Sequence, residues 1–342
     1  MNTKDRLIKE ALSFFFPFQS PKVWSEGSGE NNTTRFVDIH NTRYVLRIYE
    51  SHRDLAKIQF EHDVLLGLKT LLLPFKTPEP VTTITGESIV TLKNGQLAAL
   101  FHFANGVNPD STNQNYVHSY GKVTAQLTKA FQFLKPTKQA IYHPYYDLEH
   151  THPSCTIEDV LFFCKHPSDL FKDQAEALAL VQDALCSFQD TIPILKSLPH
   201  QLIHGDLNTS NILVNEQHSV NAVLDFEFVT YDLRVMEVAV CLSEFIKPNS
   251  DENAVMDEKV SQFLSGYSSV LELTQKELSV IPHLILLRRL DVFVHFLGRY
   301  RDGVNDEKIV KNQIEKAFYT IKWMKTMEHN WDDFVYQLMK TN

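Results

Sequence analysis

Cysteine, positive charge and long apolar runs are all scarce in this chain of 342 residues. The four cysteines, Cys155, Cys164, Cys186 and Cys241, lie far apart and form no C-x-x-C pair. That spacing suits neither a disulfide framework nor a zinc site, and it fits a reducing cytosol. The expectation is four buried thiols and a cytoplasmic protein. Lys and Arg number 33 against 42 Asp and Glu, a net charge of −9. The whole-protein field therefore repels phosphate backbones, which argues against nucleic acid as a partner and leaves any phosphate-bearing ligand in need of a local site. The longest apolar runs, such as residues 71–75 and 284–287, fall far short of the roughly 20 residues that a bilayer span requires, so no membrane is expected as a partner. The opening segment mixes Asp5 and Glu10 with Lys4, Arg6 and Lys9, and Pro17 interrupts its apolar stretch. It reads as an amphipathic helix and not as a signal peptide. No G-x-x-x-x-G-K-[ST], G-x-S-x-G or H-E-x-x-H occurs, which removes P-loop, serine-hydrolase and zincin chemistry.

What is present divides near residues 101–107. Residues 31–50 alternate around the turn-like Asn41-Thr42 as a hairpin would, residues 55–73 carry helical spacing, and residues 88–92 and 97–103 flank Asn94-Gly95 as a second hairpin. Beyond Gly106 long amphipathic stretches dominate, at 117–134, 174–189, 259–271, 282–300 and 307–338. The fold class is α+β: a small antiparallel sheet lobe with one helix over 1–104, and a larger, mainly helical lobe over 105–342. One island interrupts the helices at 202–228, where two short β-branched runs, 212–214 and 222–224, are separated by polar residues.

That island holds His204-Gly205-Asp206-Leu207-Asn208-Thr209-Ser210-Asn211 and then Leu224-Asp225-Phe226-Glu227, an H-x-D-x-x-x-x-N followed by D-F-x. Transfer of a γ-phosphoryl group needs a carboxylate to orient the acceptor hydroxyl and take its proton. It also needs an amide oxygen and a second carboxylate to hold Mg²⁺ against the phosphates. Asp206 suits the first role, and Asn211 and Asp225 the second. The bland alternative is a turn capped by His204 and Asp206, with Asp225 paired to a nearby cation.

These residues, with Asp232-Leu233 beyond them, resemble the aminoglycoside phosphotransferase and choline kinase superfamily, which shares the protein-kinase fold, and most of all its type II homoserine kinase branch. The resemblance runs from about residue 23 to residue 303 and is highly specific only over 204–233. It implies that Asp206 is the catalytic base, that Asn211 and Asp225 bind Mg²⁺, and that 1–104 is the nucleotide-binding lobe and 105–342 the catalytic and substrate lobe. Gly27, Ser28 and Gly29 lie where family members place a phosphate-cradling loop, although the segment has two of the three glycines of G-x-G-x-x-G and also reads as a plain turn. Arg47 stands where kinases carry a phosphate-contacting lysine, and Glu61 where they carry its acidic partner; an Arg keeps the charge but changes the geometry. Phe101 and Phe103 would wall the adenine pocket at a hinge, or belong to the core. Asp232 would steady the catalytic loop, cap the next helix, or do both.

The expected activity is ATP- and Mg²⁺-dependent transfer of a phosphoryl group to the hydroxyl of a small molecule, an amino alcohol such as homoserine, choline or an aminoglycoside. Glu227, Asp232, Glu237 and Glu244 outnumber the single cation Arg234 between 224 and 245, which predicts a pocket that favours a cationic acceptor. A catalytically weak or inactive nucleotide-binding relative is the alternative, favoured by Arg47. A protein kinase is disfavoured, because only residues 227–231 separate Asp225-Phe226 from Asp232, too few for an activation segment. Two further clusters stand out. His143, Asp147, Glu149, His150, His152 and Cys155 crowd one segment without a known zinc spacing and read as solvated loop. Arg288-Arg289 and Arg299-Tyr300-Arg301 read as charged helix decoration or a substrate-anion site.

Overall fold

The computed structural model describes residues 3–24, 32–50, 54–110, 112–246, 253–327 and 330–335. In chain order its elements are α1 (Thr3–Phe15), β1 (Lys22–Trp24), β2 (Asn32–Ile39), β3 (Thr42–Tyr49), α2 (Leu55–Lys69), β4 (Glu79–Pro80), β5 (Ile89–Thr91), β6 (Leu97–His102), α3 (Val117–Phe131), α4 (Ile157–Lys165), α5 (Ala175–Phe188), α6 (Ile192–Lys196), β7 (His200–Ile203), β8 (Ile212–Val214), β9 (Val220–Val223), β10 (Thr230–Leu233), α7 (Met236–Ser243), α8 (Asn253–Ser268), α9 (Gln275–Arg301) and α10 (Glu307–Met327). They fall into two compact units. One comprises residues 1–108, 133–141 and 211–228, the other 109–132, 142–210 and 229–342. The sheet unit thus takes in the β8–β9 hairpin, which a reading along the chain places among the helices.

In the first unit a fully antiparallel sheet runs β1-β2-β3-β6-β4, with β5 also on β6. His40 and Asn41, both at positive φ, make the β2–β3 turn one residue earlier than the Asn41-Thr42 expectation. A two-residue hairpin turn with both φ positive matches the twist of its strands, and Asn tolerates that region. At the other turn Gly95 alone takes the left-handed conformation. α1 lays Ile8, Ala11, Leu12 and Phe15 on the sheet residues Val37, Ile39, Leu46, Ile48, Val90, Leu92, Ala98 and Leu100. Its i, i+3, i+4, i+7 stripe is why an otherwise polar helix folds there. α2 starts at Asp54, whose carboxylate accepts a hydrogen bond from Ala56 N at 2.9 Å, and it buries Phe60, Glu61, His62, Val64, Leu65 and Leu68. The β8–β9 hairpin is tied to this unit by bridges Lys76–Ala222 and Val107–Val214.

Among its described residues the second unit has helices and one antiparallel strand pair, β7 with β10. α9 begins in a capping box in which Thr274 and Glu277 satisfy each other's backbone amides. α3 and α8 cross at two glycines: a Cβ on Gly121 would lie 1.9 Å from Phe263 O, and one on Gly266 1.9 Å from His118 O. Backbone cannot swing aside as a side chain does. Gly121→Ala is therefore expected to destabilise the protein by about 2 kcal/mol or more, overpacking outweighing the ~1 kcal/mol of helix propensity that Ala brings. Chemical denaturation checks this; an unchanged or raised midpoint would mean that the helices part at no cost.

Cys155, Cys164 and Cys241 are buried, but Cys186 is exposed, which corrects the expectation of four buried thiols: Cys186 falls on the polar side of amphipathic α5. Among the described residues no helix is long and apolar enough to cross a membrane.

Candidate active site

In the first unit, Arg47 comes from the middle of β3 and Glu61 from the buried face of α2. The Arg47 guanidinium stands 3.4 Å from Glu61 Oε1 and 3.3 Å from Asp225 Oδ1, so it bridges two carboxylates drawn from elements far apart in sequence. Burial alone would lower the Arg47 guanidinium, but Asp225 and Glu61 raise it instead and keep it charged. Burial pushes the Glu61 carboxyl up to about 8, with Arg47 pulling against that. Asp225 follows β9 with a left-handed φ of 62°, a conformation that costs a non-glycine residue roughly 1–2 kcal/mol and so has to be held by its surroundings. Phe226, fully buried, anchors the chain just after it. Asp225 Oδ1 is buried yet accepts no hydrogen bond among the described residues. Asn211, also buried, lies alongside, because its carbonyl accepts from Leu224 N at 2.8 Å. A hard divalent cation takes carboxylate and amide oxygens, and Asp225, whose Oδ1 has only the Arg47 ion pair among the described contacts, forms with Asn211 a donor set that fits one.

Phe101 is buried on β6, in ring contact with His62 and 5.7 Å from the Arg47 guanidinium. Phe103 lies just past the strand end, edge-on to Phe36 and beside Arg43. Gly27, Ser28 and Gly29 lie outside the described residues.

In the second unit the H-G-D loop leaves β7. Gly205 has a φ of 78°, which a side chain would strain, and this explains glycine between His204 and Asp206. His204 is fully buried, and its Nδ1 accepts from Asp206 N at 3.2 Å. The loop is held by three side chains, two from α7 and one from α3. Glu237 on α7 accepts from His204 N, Tyr120 donates to Leu207 O at 2.5 Å, and Cys241 donates to the same carbonyl at 3.2 Å. Burial pushes Glu237 up to about 8, against the pull of the loop amides it accepts. Asp232, on β10, accepts from Tyr145 N at 2.6 Å and Leu233 N at 2.6 Å, and burial raises it to about 7. It supports the Tyr145 segment and is no helix cap, since Val235 takes the cap position of α7 without any side-chain bond.

These placements overturn the charge argument drawn from 224–245. Asp232 and Glu237 are buried acceptors for backbone amides, Glu244 faces Arg289 at 3.6 Å, and Glu227 accepts from Asn32 at 3.4 Å. The cation beside Asp206 is instead Arg288 of α9. Its Nη2 donates to Asp206 Oδ1 and its Nη1 to Tyr145 Oη at 2.6 Å, while Tyr145 in turn donates to Gly205 O. Nothing in the sequence singles out Tyr145, whereas Arg288 belongs to the arginine pair that reads as helix decoration or a substrate-anion site. Of the histidine-rich segment, His143 and His150 stack at 4.3 Å and donate to the two oxygens of Asp147, at 3.0 and 2.9 Å. All three are at least partly exposed. Glu149, His152 and Cys155 turn elsewhere, to Ile157 N, the Asp302 carboxylate and Arg301 respectively.

A buried arginine–glutamate pair beside an aspartate after a short hairpin, and an H-G-D loop held by a buried glutamate, are an arrangement that a phosphotransferase of protein-kinase-like fold can use. Residues 27–273 match the Phosphotransferase enzyme family, and the chain belongs to that family. It is a small-molecule kinase by class. The homoserine kinase of Methylobacillus flagellatus is 26% identical over 276 residues, spanning 80% of this chain and 78% of that protein. The homoserine kinase of Zymomonas mobilis is 25% identical over 290 residues, 84% and 82% of the two chains. Among solved structures, a microcompartment-associated aminopropanol kinase superposes with a TM-score of 0.68 at 18% identity, covering 96% of this chain and 98% of its own. An amicoumacin kinase, solved with AMP-PNP and Ca²⁺, gives 0.67 at 17% identity, covering 93% of each.

Proposed function

We propose that this protein transfers the γ-phosphoryl group of ATP, in the presence of Mg²⁺, to the hydroxyl of a small amine-bearing molecule such as homoserine, choline or an aminoglycoside. The observation that carries the reading is Arg47 set between Glu61 and Asp225. A cation fixed by a buried acid beside a metal-binding carboxylate is what triphosphate positioning requires. In this reading residues 1–104 bind the nucleotide, with Gly27, Ser28 and Gly29 over its phosphates and Phe101 and Phe103 toward its base; residues 105–342 supply catalysis and acceptor. Asn211 and Asp225 would hold Mg²⁺, which neutralises charge on the phosphates. Asp206 orients the acceptor hydroxyl and takes its proton as the new O–P bond forms and ADP leaves. The amine in the acceptor is supported by what the relatives are named for, and no longer by a surplus of acids. Oligomeric state plays no part in the reading; the location is taken as the cytoplasm.

A second reading, nucleotide binding without turnover, is favoured by the direct Arg47–Asp225 contact. The two are separated by variants of Arg47. Arg47→Ala is expected to raise the KM for ATP about tenfold or more, by loss of charge-assisted contacts to phosphate, while Arg47→Lys stays within about tenfold of the parent. Steady-state kinetics with varied ATP measures both. No turnover in the parent with any acceptor would leave the second reading standing.

A further inference from the structure

We propose that Arg288 and Asp291, one turn apart on α9, read the acceptor by binding the carboxylate and the ammonium of a hydroxyl-bearing α-amino acid. This inference rests on the kinase reading above and narrows its acceptor. Residues three apart share a helix face, so the two charges form a preset dipole beside the loop that carries Asp206.

Arg288 has 15% of its side chain exposed. Its described bonds, to Asp206 and Tyr145, use two of the five N–H donors that a guanidinium offers in a planar fork. The fork matches a carboxylate bidentately in a way that an ammonium does not. Asp291 accepts from Thr151 Oγ1 at 2.8 Å; burial raises it to about 6, with Arg288 pulling the other way, so it gains from a further cation. The neighbouring acids are committed elsewhere: Asp232 and Glu237 to backbone amides, and Glu244 to Arg289 at 3.6 Å. An acceptor with one charge of each sign completes this arrangement without leaving a buried charge unpaired, whereas a simple amino alcohol leaves Arg288 on the catalytic carboxylate.

Three acceptors isolate the two charges. L-Homoserine carries both, 3-amino-1-propanol is the same skeleton without the carboxylate, and 4-hydroxybutyrate is the same skeleton without the amine. The parent protein is expected to show a kcat/KM for L-homoserine at least about tenfold above that for either analogue. In Arg288→Ala the ratio of L-homoserine to 3-amino-1-propanol should collapse toward one. In Asp291→Asn the preference should shift toward 4-hydroxybutyrate. A merely structural role for either residue would lower all three rates together and leave the ratios unmoved, which would overturn the assignment. The parent's own preference needs no variant to fold: phosphorylation of L-homoserine and 3-amino-1-propanol with equal kcat/KM overturns the inference and leaves the kinase reading intact. If the parent phosphorylates none of the three, nor choline, nor an aminoglycoside, the kinase reading itself falls.

Discussion

Asp206→Asn is expected to lower phosphoryl-transfer turnover by about 10²-fold or more while nucleotide affinity stays within a few fold of the parent, since a general base contributes typically 10²–10⁴. Asn fits the same space and keeps an oxygen to accept from Arg288, which donates to Asp206 in the parent, so the loop should hold its shape. What is lost is the capacity to take the acceptor's proton. Nucleotide titration and single-turnover kinetics on the same preparation separate binding from chemistry; a rate within a few fold of the parent would remove Asp206 from the reaction.

Asp225→Ala is expected to abolish the gain in nucleotide affinity that Mg²⁺ confers. The Asp225 oxygen is buried without a hydrogen bond among the described residues and faces Arg47 at 3.3 Å. Deleting it leaves Glu61 as the one described carboxylate at ion-pair distance from Arg47 and removes the charge that a hard cation at this position would need. The left-handed backbone at this position penalises Ala in the folded protein, so Asp225→Asn is the companion variant: Asn tolerates that conformation and removes only the charge. Calorimetry with and without Mg²⁺ should show both variants binding nucleotide weakly and almost equally in the two conditions. Parent-like enhancement by Mg²⁺ in either variant would place the metal elsewhere.

How far the sequence was legible depends on how local each signal is. The H-G-D loop and the D-F-x are contiguous motifs whose residue types are dictated by chemistry, and the hairpins of the sheet show as alternation around turn residues. Arg47 and Glu61 could be paired from the sequence only through the family resemblance, since β3 and α2 have no shared periodicity. Tyr145 and Arg288 reach the H-G-D loop across 60 and 82 residues, and nothing in their local context marks that. The acids of 224–245 misled because proximity in sequence was read as a shared surface. Asp232 sits on a strand paired with β7 and Glu237 on a wholly buried helix, so both point into the protein and are spent on backbone amides. Cys186 went wrong for a similar reason: composition says that cysteines are often buried, and only the helix face decides for each one.

The central claim, transfer of a phosphoryl group to a small hydroxyl acceptor, is tested most directly by ³¹P NMR of the parent protein with ATP, Mg²⁺ and L-homoserine. A phosphomonoester resonance growing in step with ADP, and absent from Asp206→Asn over the same period, is the predicted result. Unchanged ATP, or release of inorganic phosphate alone, with this and every other amine-bearing acceptor would contradict it.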